Sequence, residues 1–238
     1  MSLIKVQTLQ QVNVKDYLNV LTLAFHPFEL CQLVLSSEDQ NLLEQQVVGL
    51  KTHLQQECLV LDSDTIQSTR KISNLGLFNA QVFDIERELA SFLKLYSLIC
   101  RSGDPQLAEK KFCLRWIAKF AQSDSPEQLE QELYRREALS STGMQSGLAL
   151  PHVMSDTVST PQIMILTSPV AIDWLSPFGP VTHIIALLLP INANKETLMA
   201  VRHLATPFIK PEVNEFICQH YTPLELQAIV SCLMKLEH

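Results

Sequence analysis

The chain has 238 residues, of which 47% are hydrophobic and 18% charged, with a formal net charge of −7. That balance supports a buried core and excludes a disordered polymer, which would be polar and highly charged. No long basic run stands out among 18 Lys and Arg against 25 Asp and Glu, so no nucleic-acid surface is expected.

The longest apolar runs, Val20–Phe25 and Ile184–Leu189, are far shorter than the ~20 residues of a bilayer span. No basic stretch followed by an apolar one opens the sequence, so neither a signal peptide nor membrane insertion is expected, and the expected location is cytoplasmic. The six cysteines (Cys31, Cys58, Cys100, Cys113, Cys218 and Cys232) form no C-x-x-C pair, so neither a zinc ribbon nor a redox motif is indicated, and reduced thiols are expected. The final Leu236-Glu237-His238 reads as a cloning scar leading into a histidine tag and is left out of the fold.

In chain order, Val20–Phe25 and Leu30–Leu35 read as short strands. Ser37–Gln56 reads as a helix capped by Ser36 or Ser37, with Leu42, Leu43, Gln46, Val47, Leu50 and Leu54 as its apolar stripe. Cys58–Leu61 reads as a further strand. This small α/β region, residues 1–87, carries His26 and His53 but no glycine-rich loop and no clustered acids, and no function follows from it. Glycine and proline are sparse there: Gly49, Gly76 and Pro27 precede residue 88, and four glycines and eleven prolines follow it. A division near residues 85–90 is expected on that shift.

Beyond it, Leu98–Arg101 reads as a strand and Gln106–Gln122 as a helix with Leu107, Phe112, Trp116, Ile117 and Phe120 inward. Ser125-Pro126-Glu127-Gln128 is a helix start, with a cap, a proline at the first position and a capping-box glutamine, for a helix running to about Ala138. Ser141-Thr142-Gly143 breaks it, and Gly147–Leu150 is a short strand ending at Pro151-His152. Ile163–Thr167 and Val181–Leu189 are strands, the second apolar throughout and therefore central. Helices follow at 195–206, 211–219 and 223–235, the last opened by a capping box, Thr222-Pro223-Leu224-Glu225. Residues 88–235 thus read as an α/β domain, a mixed central sheet flanked by helices.

One stretch is unlike core sequence: Arg135 through His152. It places a basic pair at a helix end, then a Ser/Thr/Gly turn, a strand, and a histidine directly after a proline. Proline fixes the backbone before the ring. A neutral imidazole there is a competent nucleophile near neutral pH. An arginine beside it can hold a phosphate bidentately, and the Ser141-Thr142-Gly143 turn offers further donors. From the residues alone, a single histidine is as compatible with a packing role.

The stretch resembles the signature R-E-x-x-x-S-T-x-x-x-x-G-x-A-[IL]-P-H of the mannitol/fructose-type enzyme IIA domains of the bacterial phosphoenolpyruvate:sugar phosphotransferase system. Arg136, Glu137, Ser141, Thr142, Gly147, Ala149, Leu150, Pro151 and His152 stand in register with it. Ile172-Asp173-Trp174 and Val181–Pro190 resemble that family's I-D-W turn and central strand, and Ser97–Cys100 with Leu107–Ala121 its opening strand and helix. The resemblance spans residues 88–235.

It implies that His152 takes the phosphoryl group, that Arg136 binds and neutralises it, and that Ser141 and Thr142 lie in the pocket as hydrogen-bond partners. It implies no cofactor; no metal site is expected either, because His152 has no second His, Cys or Asp at ligand spacing, though Asp156 lies four residues on. The partners it implies are a histidine phosphocarrier protein upstream and an enzyme IIB downstream. One departure stands out: the family's second histidine, in a His-Leu pair, is replaced by Thr197 before Leu198. Threonine donates a hydrogen bond to phosphate but carries no positive charge. His183, His203 and His220 read as packing or surface residues, His220 in a loop without partners. Three functions remain open: a phosphohistidine carrier in sugar uptake, a regulatory relative of the nitrogen type that controls a partner through its phosphorylation state, and a degenerate fold kept as a binding module.

Overall fold

The computed structural model describes residues 1–26, 29–58, 60, 79–84 and 105–234. The chain opens with three antiparallel strands, β1 (Ser2–Lys5), β2 (Gln10–Asn13) and β3 (Cys31–Val34), in the order β2-β1-β3. Leu3 faces Val12 on one side and Leu33 on the other.

Residues 17–22 differ from expectation. Val20–Phe25 is not a strand: Tyr17–Thr22 is a helix, α1, capped by Asp16, whose side chain accepts from Asn19 N–H at 3.3 Å. Its exit is held from outside. Lys5 Nζ donates to the carbonyls of Leu23 (3.0 Å) and Ala24 (3.2 Å) and pairs with Glu29 at 3.0 Å. A cation at a helix C-terminus satisfies carbonyls that lack an intrahelical partner. The long helix follows as α2 (Gln40–Leu54), but its cap is Asp39 rather than Ser36 or Ser37: one carboxylate oxygen accepts from Asn41 and Leu42 N–H at 2.9 and 3.1 Å. Of its expected stripe, Leu43, Val47, Leu50 and Leu54 are half-buried, while Leu42 and Gln46 are exposed.

The second sheet carries the site. Its order is β4 (Asn79–Asp84), β7 (Gln162–Ile172), β8 (Val181–Pro190), β5 (Leu148–Ala149), and β6 (His152–Ser155) also pairs with β8. β7 runs antiparallel to β8, while β4 is parallel to β7 and β5 and β6 are parallel to β8, so the sheet is mixed as expected. Its edge strand β4 begins at Asn79, upstream of the expected division near 85–90. The strand expected at Leu98–Arg101 lies outside the described residues, as do Leu59 and Leu61 of that at Cys58–Leu61.

β8 is central, and every residue but Thr182 is buried. Side chains alternate across a strand, so β8 feeds two cores. Ile185, Leu187 and Leu189 face one, with Ile163 and Ile165 of β7 and the helices α5 (Lys195–Ala205), α6 (Pro211–Cys218) and α7 (Pro223–Met234). Ile184, Ala186 and Leu188 face the other, with Met164, Leu166, Trp174 and the helices α3 (Pro105–Phe120) and α4 (Pro126–Leu139). Burying each such side chain is worth ~1.5–3 kcal/mol, so this two-sided core outweighs any single cap at ~1 kcal/mol.

The helices begin as their sequences dictate. Ser125 caps α4, its Oγ accepting from Gln128 N–H at 3.4 Å, but the Gln128 amide turns to Glu132 and Asp156, so the box closes on one side only. Thr222 Oγ1 accepts from Glu225 N–H at 3.4 Å and donates to the Glu225 carboxylate at 2.6 Å. On α3, Cys113, Leu114, Trp116 and Ile117 are buried, while Phe112 is half-buried. Phe120 is exposed, because it closes the helix by lying over the Trp116 ring, centroids 4.4 Å apart, with its outer face in solvent. Val6, Leu9 and Leu30, in the connections beside the first sheet's strands, join the core of α5, α6 and α7, and Gln32 Nε2 lies 3.0 Å from His220 Nε2.

Candidate functional site

His152 opens β6, and its backbone is set by Pro151. β5 and β6 both lie along β8, with Ala149 opposite Ile184 and His152 opposite Leu187. Between them Leu150 and Pro151 leave the ladder. Leu150 N–H turns away to the Thr142 carbonyl at 3.0 Å, and the Pro151 carbonyl returns to Leu187 N–H at 2.9 Å. Residues 142–144 run back against 148–150, with Met144 N–H on Leu148 O at 2.7 Å and Gly143 bridging Ala149. A 3-10 turn, Gln145–Gly147, closes this hairpin; Gly147 has φ +85, which L side chains rarely adopt. Gly143 is demanded by space: a Cβ there would meet Ser176 Cβ at 2.5 Å and its Oγ at 2.7 Å.

The imidazole is held at both nitrogens. Nδ1 lies 2.8 Å from the Leu150 carbonyl, and Nε2 accepts from Arg136 Nε at 3.1 Å. A carbonyl only accepts and a guanidinium only donates. Nδ1 must therefore carry the proton and Nε2 must be bare, which is the neutral, nucleophilic tautomer with its lone pair facing the arginine. Arg136 comes from the last turn of α4, and its Nη1 donates to the Ser140 carbonyl at 2.9 Å, which anchors the guanidinium to its own helix end. Among the described residues Arg136 makes no ion pair. A cleft of about 420 Å³ opens beside the pair, walled by apolar side chains that include Leu150, Met154, Leu189, Leu198 and Val201.

The other expected site residues are placed differently. Thr142 is buried, and its hydroxyl donates to Glu137 Oε2 at 2.5 Å and accepts from Trp174 Nε1 at 3.3 Å. Ser141 Oγ accepts from Gly143 N–H at 3.4 Å and stays within the turn. Thr197 is buried in the first turn of α5, where its N–H bonds the Asn194 side chain at 2.8 Å. No hydrogen bond of the described residues links Thr142, Ser141 or Thr197 to the His152 ring. The structure therefore bonds Arg136 to His152, while Thr142 and Ser141 use their hydroxyls on other partners.

Two groups escaped the sequence reading. Glu137 is buried and accepts Thr142 N–H at 2.8 Å and Lys110 Nζ at 2.7 Å. The signal was present as the second letter of the R-E pair, but its partner Lys110 lies on α3 and no local pattern joins them. His220 is not without partners: Nδ1 donates to the Phe216 carbonyl at 2.7 Å and Nε2 receives the Gln32 amide. His183 is buried on β8, with its ring nitrogens on the His220 carbonyl and Thr182 Oγ1, and burial lowers its pKa below the ordinary value. Among the described residues no group of three His, Cys, Asp or Glu could hold a metal ion, and no helix is long and apolar enough to cross a membrane.

A bare imidazole nitrogen thus faces a guanidinium on a strand of the mixed α/β sheet. The chain belongs to the family of the phosphoenolpyruvate-dependent sugar phosphotransferase system, EIIA 2, which matches residues 108–231. It is 31% identical over 127 residues to the nitrogen regulatory protein of Pseudomonas aeruginosa, across 51% of this chain and 82% of that protein. It is 25% identical over 111 residues to the multiphosphoryl transfer protein of Shigella flexneri, across 47% of this chain but only 13% of that protein. Among solved structures, nitrogen regulatory protein IIA-Ntr from Neisseria meningitidis is 27% identical over 51% of this chain and 86% of that chain, with a TM-score of 0.46.

Proposed function

We propose that His152 is a phosphoryl acceptor and that Arg136 compensates the charge that arrives. The observation that carries this reading is the bare His152 Nε2 facing Arg136 Nε at 3.1 Å. In the transfer, the Nε2 lone pair attacks phosphorus on a donor phosphohistidine. The N–P bond to the donor breaks, the donor nitrogen keeps its electron pair, and a new N–P bond forms at Nε2. The ring gains positive charge, which the Leu150 carbonyl stabilises through the Nδ1 proton. At 3.1 Å nothing fits between guanidinium and ring, so Arg136 swings from Nε2 onto the phosphoryl oxygens as they arrive.

The donor in this reading is a histidine phosphocarrier protein, the location is cytoplasmic, and residues 88–235 act as the working unit together with strand β4, with the first sheet packed on its core. Whether the phosphoryl group passes to an enzyme IIB in sugar uptake or sets the state of a regulated partner divides two roles. The match across most of the nitrogen regulatory protein, against a small fraction of the multiphosphoryl transfer protein, supports the regulatory one. The test is incubation with the general phosphotransfer proteins and labelled phosphoenolpyruvate. Label on His152, lost in His152→Ala, is expected; label elsewhere or none overturns the proposal.

A further inference from the structure

We propose that Glu137 is a positioning residue for His152, acting through Thr142 and Leu150, and that the Thr142 hydroxyl is a strut rather than a ligand of the phosphoryl group. The inference rests on the phosphoryl-acceptor reading of His152. Its basis is an unbroken path of hydrogen bonds from the interior to the ring. Lys110 Nζ pairs with Glu137 Oε1 at 2.7 Å, with both side chains nearly buried. The same carboxylate oxygen accepts Thr142 N–H at 2.8 Å, and the other takes the Thr142 hydroxyl at 2.5 Å. The Thr142 carbonyl then holds Leu150 N–H at 3.0 Å, and the Leu150 carbonyl holds His152 Nδ1 at 2.8 Å.

Each link fixes the next. Leu150 has left the β8 ladder, so Thr142 supplies the bond that holds its N–H, while the ring of Pro151 fixes the backbone on its other side. Held on both sides, Leu150 keeps its carbonyl aimed at Nδ1, which keeps the proton there and Nε2 bare. Thr142 cannot shift toward the ring without leaving the buried carboxylate and stranding Trp174 Nε1, whose indole rests on the same hydroxyl. A buried polar group left unpaired is costly, so the hydroxyl is committed inward. Glu137 adjoins Arg136 on α4, so one helix end sets both sides of the imidazole: the arginine at Nε2 directly and the carboxylate at Nδ1 by way of the hairpin. Misplacing a reacting group by about 1 Å costs up to about a hundredfold in rate.

The test compares Glu137→Gln, Thr142→Val, Thr142→Ser and the double variant Glu137→Gln/Thr142→Val with the unsubstituted full chain. Three quantities are measured: the His152 tautomer from ring nitrogen chemical shifts, the initial phosphorylation rate from a phosphorylated donor protein, and the thermal unfolding midpoint. Glu137→Gln and Thr142→Val are expected to reduce the Nδ1–H tautomer and to slow phosphorylation about tenfold or more. Thr142→Ser, which keeps the hydroxyl, is expected to retain both, and the double variant to be little worse than either single because the two act on one path. A lowered unfolding midpoint with unchanged tautomer, and a rate within about twofold of the parent, means a merely structural role and overturns the proposal. A slow Thr142→Val with an unchanged tautomer and a normal Glu137→Gln makes the hydroxyl a direct ligand and also overturns it. If the unsubstituted chain takes no phosphate from any donor, the acceptor reading fails, and the tautomer measurement still decides the positioning of the ring.

Discussion

Arg136 Nε and His152 Nε2 are 3.1 Å apart, so the arginine covers the bare nitrogen of the imidazole. In the proposed transfer the incoming phosphoryl charge draws the guanidinium off the ring, because it binds phosphoryl oxygens better than a neutral imidazole.

Arg136→Ala is therefore expected to lower the initial rate of His152 phosphorylation by about a hundredfold or more, the scale of losing one preorganised donor at a developing charge. Arg136→Lys retains charge but loses the planar fork, and is expected to fall between the two. Rates from a phosphorylated donor protein check this. A rate for Arg136→Ala equal to the parent removes the arginine from the mechanism.

Thr197→Ala is expected to leave that rate within about twofold, because Thr197 sits in the first turn of α5 with no bond to the imidazole. A large loss would show that the hydroxyl reaches the phosphoryl group during transfer.

Gly143→Ala is expected to destabilise the fold by about 1–3 kcal/mol, the usual cost of overpacking, since its Cβ would fall 2.5 Å from Ser176 Cβ. Combining it with Ser176→Gly removes that obstacle and is expected to restore much of the loss. Denaturant midpoints of the three variants decide, and no recovery would place the strain elsewhere.

His183 gives a pH dependence with a definite sign. Burial lowers its pKa in the folded state below that of the unfolded chain. The unfolded chain thus binds the proton first, and stability rises with pH across the interval between the two values. The contribution is fully present above the unfolded pKa of ~6.5 and is lost as pH falls toward the folded value. The unfolding midpoint is expected to drop between pH 7 and pH 5 more steeply in the parent than in His183→Gln. Equal slopes would mean that His183 does not titrate with unfolding.

What the sequence made legible was whatever short-range pattern controls. The nearly unbroken apolar run of Val181–Leu189 announces a strand buried on both faces, and Ser125-Pro126 and Thr222-Pro223 announce helix starts. The spacing from Arg136 to His152 carries enough of a family signature to single out the pair that the structure places in contact. What stayed hidden depends on remote partners. Val20–Phe25 looks like a strand until Lys5, from β1, is seen holding the carbonyls that end α1. Thr142 reads as a phosphate ligand, and only the structure shows its hydroxyl bonded to Glu137, which pairs with Lys110. His220 acquires its second partner from Gln32, almost the whole chain away.

The pairing of β6 with β8 has a temporal consequence. His152 is placed by Leu187, which is synthesised well after it, with the whole of β7 in between. Closing such a span costs entropy that only the finished sheet returns. A chain still emerging from the ribosome therefore carries its histidine without the strand that orders it. The strand that carries the ring finds its pairing partner only once residues up to Pro190 have cleared the exit tunnel.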